Sequence, residues 1–445
     1  MNSSNGNSRR EFMKQSSLLA GGLIAVPLFS KANYFSGADD TIKVALVGCG
    51  GRGTGAVAQA LLTKQNVKLV AMADAFRDNL DKCYSAITAD DLSDVTGEPG
   101  NLKNRIDVPE ERKFSGFDAY KKAIPFADVV ILATPPGFRP THFQECVSQG
   151  KHVFMEKPVA TDPAGIKKVL DAALIAKQKK LNVVVGLQRH YQNSYLELYK
   201  RKNLIGDITS AQAWWNNDGV WVRKRQYNQT EMEYQMRNWY YFNWLCGDHI
   251  NEQHIHNIDV INWFKGGYPV KAQGMGGREV RKGKDHGEIF DHHYVEFTYA
   301  DGSILNSQCR HIPGTMAKVD ELIIGTKGKI FCDEAYIADS KGKVVYQFDK
   351  KLQNNPYQTE HDELFAAIAK GEYKFADAEN GAKSTMTAVL GRMATYSGQV
   401  IEWDKALNSG IDLQPKTLDW NAMPLNVPNE EGHYTVAVPG KTAYV

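Results

Sequence analysis

The sequence predicts an α/β chain that opens on a parallel, helix-flanked sheet. Three observations carry this. A β-branched run, Ile42–Val47, stops at the turn Gly48-Cys49-Gly50-Gly51-Arg52-Gly53. An apolar helical stretch over 55–62 follows that turn. A second buried run over 67–73 then ends on Asp74. Strand, turn, helix and strand in that order make a βαβ unit, and a helical crossover makes its two strands parallel. With 445 residues the chain has room for two or three domains at ~150 residues each.

Ahead of this unit stand Arg9-Arg10-Glu11-Phe12-Met13-Lys14 and an apolar run over 18–29. Paired arginines before a short apolar stretch read as a twin-arginine export signal over 1–38. The run is short for an anchor, which needs ~20 residues. A periplasmic location and handling by the Tat export machinery are therefore expected.

In the unit over 39–165 each residue of the turn has a physical task. Gly48 allows the tight bend, and Gly50 lets backbone N–H groups approach a pyrophosphate. Gly51 and Arg52 complete the lip, and Gly53 lets the helix sit close on its strand with its N-terminus toward phosphate. Asp74 follows Gly53 by 21 residues, where a carboxylate accepts hydrogen bonds from a ribose and repels a 2′-phosphate. The cofactor expected is NAD. A protein exported by a route that carries folded proteins meets no free nicotinamide pool, so it should retain that cofactor and regenerate it within its own cycle.

A third buried run, 128–133, ends in Thr134-Pro135-Pro136, at the sheet edge where ligands bind. His142 lies in the helix that follows. The next strand, 151–155, stops at Glu156-Lys157-Pro158, which places Lys157 to lie beside a nicotinamide and hydrogen-bond a substrate hydroxyl. With the glycine turn, Asp74, Ala133-Thr134-Pro135, His142 and the box 150–158, the chain resembles the glucose-fructose oxidoreductase/inositol dehydrogenase/rhizopine catabolism (Gfo/Idh/MocA) family. The resemblance runs to about Trp403. It implies a Rossmann domain, then an α/β domain over 166–410 whose large open, mostly antiparallel sheet carries a substrate pocket and an oligomer interface. It further implies oxidoreduction of sugars, inositols or related polyols by a homo-oligomer, dimer or tetramer. Thr134, Pro135, His142, Glu156, Lys157 and Gln188 join the expected cofactor contacts.

The densest polar segment is 247–259. On one helix Glu252, His256 and Asp259 share a face at i, i+4 and i+7. His249 joins them one turn earlier, and His254 points elsewhere. The resembling family pairs an acid four residues before a histidine with the lysine of the EKP box. That implies His256 as general acid/base, Lys157 as the group orienting the reacting oxygen, and Glu252 as the acid tuning the site. Asp259 matches a following acid on the substrate side. An unperturbed histidine pKa of ~6.5 suits proton exchange near neutrality. The same groups could hold zinc, but HExxH is absent and this chemistry needs no metal, so none is expected. His249 and His254 stay divided between a functional role and a structural one.

A strand over 183–187 runs into Gln188-Arg189-His190-Tyr191, a turn that the resemblance places beside nicotinamide and substrate. Trp215 and Asn216 sit in an aromatic, amide-bearing segment, and 239–244 is richer still in aromatic residues. Such faces stack on the C–H faces of sugar rings. Arg189, His190, Tyr191, Trp215, Asn216 and Asp259 are thus the expected carbohydrate contacts. Asp291-His292-His293 and 357–361 are secondary pocket candidates, 386–399 reads as a closing helix, and 411–445 as an extended tail or subunit arm. Lys plus Arg total 53 and Asp plus Glu 51, a net charge of +2, which removes the electrostatic case for nucleic acid. Six scattered cysteines without a CxxC pair indicate no disulfide scaffold. The expected activity is hydride transfer between a pyranose or pyranoside hydroxyl, at C3 by resemblance, and retained NAD. The alternatives are an NAD-dependent glycosidase working by transient C3 oxidation, elimination and re-reduction, and a redox-inactive sugar-binding or NAD-sensing protein.

Overall fold

A computed structural model describes residues 40–97 and 100–443. The expected export signal over 1–38 lies outside the described residues.

The first sheet holds six parallel strands: Ile42–Val47 (β1), Val67–Asp74 (β2), Lys113–Ser115 (β3), Val129–Leu132 (β4), His152–Met155 (β5) and Val183–Val185 (β6). Their order is β3-β2-β1-β4-β5-β6. This is the doubly wound nucleotide-binding order, with its crevice where the order reverses, between β1 and β4. β4 and β6 are buried along their whole length and β1 at all but one position, as a sheet covered on both faces requires. Helix Pro163–Gln178 crosses back over the sheet to feed β6. The sheet therefore continues past residue 165, the expected junction.

The second sheet holds nine strands: Ile208–Asn217 (β7), Lys271–Gly277 (β8), His292–Thr298 (β9), Ile304–His311 (β10), Lys318–Gly325 (β11), Gly328–Phe331 (β12), Tyr336–Asp339 (β13), Val344–Gln347 (β14) and Ile401–Glu402 (β15). The order is β14-β13-β12-β11-β7-β10-β9-β8-β15, antiparallel except where β7 runs parallel to β10. Strict alternation of buried and half-buried residues along β9 and β10 marks a sheet covered on one face. Helices Ile255–Lys265 and Ala378–Ser397 supply that cover, the first against β7 and β11 and the second against β8 and β9, and their Ile258, Val260, Met386 and Val389 share one buried core with Val295, Phe297 and Leu305. The other face stays open.

Described residues beyond 411 contain no helix or strand. The tail runs over its own chain. Leu413 N–H donates to Asp162 at 3.0 Å and Gln414 Nε2 to the Trp244 carbonyl at 2.9 Å. Tyr434 is buried against Phe242, with ring centroids 4.9 Å apart.

Candidate active site

A single cleft of about 960 Å³ runs from the glycine turn to the start of helix Ile255–Lys265. At the turn, Gly48 has φ +100°, and a Cβ there would lie 2.5 Å from the Ala133 carbonyl carbon. A Cβ on Gly53 would sit 1.9 Å from the Gly48 oxygen. Neither position admits another residue. Gly50 caps helix Gly51–Leu62 in an extended conformation, with no side chain satisfying the helix's first N–H groups and no acid in its first turn. Nothing lies within 4 Å of a Cβ built on Gly50 or Gly51. Free N–H groups at a helix N-terminus beside open space are what a pyrophosphate requires. Asp74 accepts from Cys49 N–H at 2.7 Å and Phe76 N–H at 2.8 Å, which pins its carboxylate at the ribose position. The residues present therefore fit a dinucleotide.

Farther along, Thr134, Pro135 and His142 line the wall. His142 lies 3.3 Å from Thr134 Oγ1 and packs between Tyr120 and Phe138. Burial pushes its imidazole down to about 3, so it is neutral. Glu156 pairs with Arg52, which reaches across from the glycine turn. Gln188 donates to Tyr357 Oη at 3.2 Å, while its buried Oε1 has no partner and is free to accept from a ligand amide.

Lys157, Glu252 and His256 meet at the far end, each no more than 8% exposed. Lys157 Nζ donates to the Glu252 carbonyl and, at 3.1 Å, to its Oε1. The chain makes this meeting in two short helical pieces, His249–Glu252 and Ile255–Lys265, rather than the one helix that the spacing suggests. The break at Gln253-His254 still leaves Glu252 and His256 on the cleft. Burial, followed by the nearby charges of Lys157, Arg189 and Arg52, holds the His256 imidazole well below its usual range. It is a neutral base at pH 7, not a group poised near 6.5 as its unperturbed value suggests. Burial raises Glu252, and Lys157 opposes that rise. Trp215 stacks over His256 with centroids 5.9 Å apart, and Arg189 lines the same wall while ion-paired to buried Glu321.

Residues 42–187 match the Gfo/Idh/MocA profile, described as an oxidoreductase family with an NAD-binding Rossmann fold. This nucleotide-binding domain belongs to the Gfo/Idh/MocA family. The inositol 2-dehydrogenase of Gluconacetobacter diazotrophicus is 28% identical over 166 residues, 37% of this chain and 43% of that enzyme. The chain thus spans less than half the length of the curated relatives that it matches first. The fold agrees over more of the molecule. The aldose-aldose oxidoreductase of Caulobacter crescentus, complexed with glycerol, superposes with a TM-score of 0.61 at 16% identity, covering 81% of this chain and 99% of that one. The scyllo-inositol dehydrogenase of Lactobacillus casei with bound NAD(H) and scyllo-inositol gives 0.60 at 19% identity, covering 82% and 99%.

Four of the expected substrate residues do not line the cleft. Asp259 is turned into the protein: it holds His190 Nε2 at 2.6 Å and accepts from Asn380 at 3.1 Å and Ser384 at 2.7 Å. His190 stacks on Trp263 instead of facing a ligand. Tyr191 donates to Asp377 at 3.1 Å, and Asn216 is buried in β7. The i+7 position of Asp259 is the reason: the break after Glu252 rotates the second helix, so only its first turn meets the cleft. Gly53 also sits behind the wall, in contact with the turn.

At the adenosine end the structure adds residues that no motif signals. Arg237 donates to both Asp78 oxygens, at 3.0 and 2.8 Å, with its guanidinium carbon 3.7 Å over the Phe76 ring. Trp420, from the tail, packs on Phe76 and Phe117 with centroids at 5.0 and 4.5 Å. Elsewhere on the cleft, Tyr357 of helix Pro356–Ala369, within the expected secondary candidate 357–361, lies beside Gln188 and Arg52.

Proposed function

We propose that this chain is an exported oxidoreductase that retains NAD(H) and transfers hydride between a pyranose or pyranoside ring carbon, C3, and the nicotinamide. The observation that carries this reading is the Lys157 ammonium, 3.1 Å from Glu252 Oε1 and facing the cleft beside the buried, neutral His256. Bound NAD supplies the two-electron acceptor. Lys157 donates a hydrogen bond to the substrate oxygen and stabilises negative charge there as its proton leaves. His256 accepts that proton. Lys157 and Arg189 disfavour the imidazolium, so His256 yields the proton back readily in the reverse direction. Glu252 fixes the lysine from below. The low exposure of all three groups keeps water from competing for the reacting oxygen.

Several observations support the individual parts. The Trp215 face beside His256 suits a sugar ring, and relatives of similar fold carry the names aldose-aldose oxidoreductase and scyllo-inositol dehydrogenase. Closure of the adenosine end by Arg237 and Trp420 supports retention. Arg9-Arg10 and the apolar run after them support Tat export to the periplasm. The half-buried polar face of the large sheet, with Tyr294, Glu296, Asn306 and Gln308, supports a homo-oligomer.

The test is to purify the chain from cells, release any ligand by denaturation and identify it by mass spectrometry. Absorbance of the bound nicotinamide is then followed against a panel of sugars and glycosides. A dinucleotide that survives dialysis, and sugar-dependent growth at 340 nm, are expected. No retained dinucleotide defeats the retention. No absorbance change with any sugar defeats the oxidoreduction. Phenol release from aryl glycosides without added NAD would shift the assignment to a glycosidase working by oxidation, elimination and re-reduction.

A further inference from the structure

Behind the catalytic residues, among groups that the proposed reaction does not use, lies a second cluster: Asp248, His249 and His293. Asp248 and His249 are fully buried and His293 is 3% exposed. Their ligand atoms lie within 4.8 Å of one another. Asp248 Oδ1 is 3.3 Å from His293 Nε2 and 3.8 Å from His249 Nε2.

Asp248 Oδ1 accepts the backbone N–H of His249 at 2.5 Å, and among the described residues only His249 and His293 stand as its possible ion-pair partners. His293 Nδ1 is 2.9 Å from Thr395 Oγ1. The single hydroxyl proton of Thr395 goes to the helix carbonyls of Gly391 and Arg392, at 3.1 and 3.0 Å. Thr395 can therefore only accept from the imidazole, and Nδ1 carries the ring proton. That turns the bare lone pair of His293 Nε2 toward a carboxylate oxygen. His249 has both ring nitrogens buried without a partner. Two aimed lone pairs and a carboxylate in a dry core call for a cation between them. The backbone is bent to make this arrangement. Gly247 has φ +75°, and Asp248, a non-glycine residue, has φ +72°. Such strain persists where the surrounding structure demands it. Tyr396 and Phe290 N–H hold the other carboxylate oxygen, as outer partners hold a ligand in a metal site.

We propose that Asp248 Oδ1, His249 Nε2 and His293 Nε2 bind a zinc-class divalent cation. A tetrahedral zinc with bonds of about 2.0–2.1 Å sets its ligand atoms roughly 3.3 Å apart, close to the 3.3 and 3.8 Å found here. Imidazole with carboxylate is a zinc-type donor set. His311 lies next to the cluster but stacks face-on against His249, centroids 4.3 Å apart and planes 24° from parallel. With its plane nearly parallel to that of His249, it is not counted among the ligands. The site is structural. Glu252 N–H bonds the Asp248 carbonyl at 2.9 Å, so the cation would clasp the short catalytic helix to β9.

The test uses the full chain purified without a histidine tag from cells supplied with zinc, manganese and iron. Elemental analysis should find about one equivalent of metal per chain, and X-ray absorption an all-N/O shell at about 2.0–2.1 Å. His249→Ala and His293→Ala should each lose at least nine-tenths of the metal, while His433→Ala, an exposed histidine, keeps it. Thr395→Val should keep the fold and weaken metal affinity by about 10- to 100-fold, since it frees the His293 tautomer. Less than a tenth of an equivalent in the wild-type chain, a sulfur-containing shell, or full metal in folded His293→Ala would each overturn the proposal. A metal-free protein in which His293 carries two ring protons would replace the cation by an imidazolium–aspartate pair.

Discussion

Gly50→Ala separates what the glycine turn does for the fold from what it does for the cofactor. Gly50 has φ −76° and ψ −177°, a conformation open to any residue. A Cβ there meets nothing within 4 Å. The substitution restricts the unfolded chain, worth about 0.4–1 kcal/mol in favour of folding, and weakens the N-cap by a similar amount. Apo stability should stay within about 0.5 kcal/mol, or about 2 °C in Tm. The cofactor sees a different change. The Cβ occupies the space through which the uncapped N–H groups reach the pyrophosphate. Losing one hydrogen bond to a charged group costs about 1.5–3 kcal/mol, which is about 10- to 150-fold in Kd. Protein stripped of nucleotide by partial unfolding and refolding, then titrated with NAD by calorimetry, reads the affinity, and thermal melts of the apo form read the fold. Gly53→Ala is the contrasting case: its Cβ would lie 1.9 Å from the Gly48 oxygen, so the apo protein itself should lose its cooperative melt. A Gly50→Ala chain that binds NAD within threefold of wild type would refute the placement of the pyrophosphate on this turn.

Three further outcomes are expected. Lys157→Met keeps the aliphatic stem and removes the donor, so sugar-dependent nicotinamide reduction should fall by about 10²–10⁴ while bound dinucleotide content stays the same; unchanged turnover would remove Lys157 from the chemistry. Arg237→Ala breaks a half-exposed bidentate pair and a cation–π contact, together worth about 1–2 kcal/mol, so NAD should dissociate roughly 5- to 30-fold faster in a stopped-flow exchange with no loss of fold; unaltered release would show that the adenosine end is held elsewhere. Burial pushes Asp377 up to about 6 from an ordinary 3.8, so the folded state binds more protons than the unfolded between those values and stability falls as pH rises through that window, by at most about 3 kcal/mol. Asp377→Asn should therefore raise urea stability at pH 7.5 and have little effect at pH 4, and a gain of equal size at both values would contradict the burial argument.

Much of the first domain was legible because its signals are local. Buried parallel strands are continuous apolar runs, and only glycine fits the positions at 48 and 53. The acid–histidine pair at 252 and 256 was legible from its spacing, although the two residues reach the cleft from separate helical pieces, His249–Glu252 and Ile255–Lys265, and not from one turn. The same periodicity misplaced Asp259, because nothing in the spacing reveals that the helix restarts at Ile255. His190 and Asp259, 69 residues apart, find each other through packing. The adenosine clamp was still less visible, since Arg237 and Asp78 are 159 residues apart and Trp420 comes from a tail without periodic pattern. His256 departs from the unperturbed histidine value because burial and neighbouring cations follow from tertiary contacts, not from residue type.

The two ends of the cleft call for different mechanical properties, and the structure distributes its bonds accordingly. At the adenosine end, ties between distant parts of the chain converge: the Arg237–Asp78 pair and the Trp420 stack on Phe76 and Phe117. Each is worth about 1 kcal/mol singly, but all must open together for a dinucleotide to leave, and a barrier of that kind acts on koff. A cofactor exchanged at every turnover would make such closure a kinetic burden. A cofactor recycled in place would not, because only the sugar then passes in and out, by the end where Trp215 and Arg189 form the wall. If the proposed reaction is right, substrates should come and go at ordinary rates while the dinucleotide stays. The ratio of the two off-rates measured on one sample of protein therefore tests the whole arrangement, and it should collapse when Arg237 and Trp420 are replaced together.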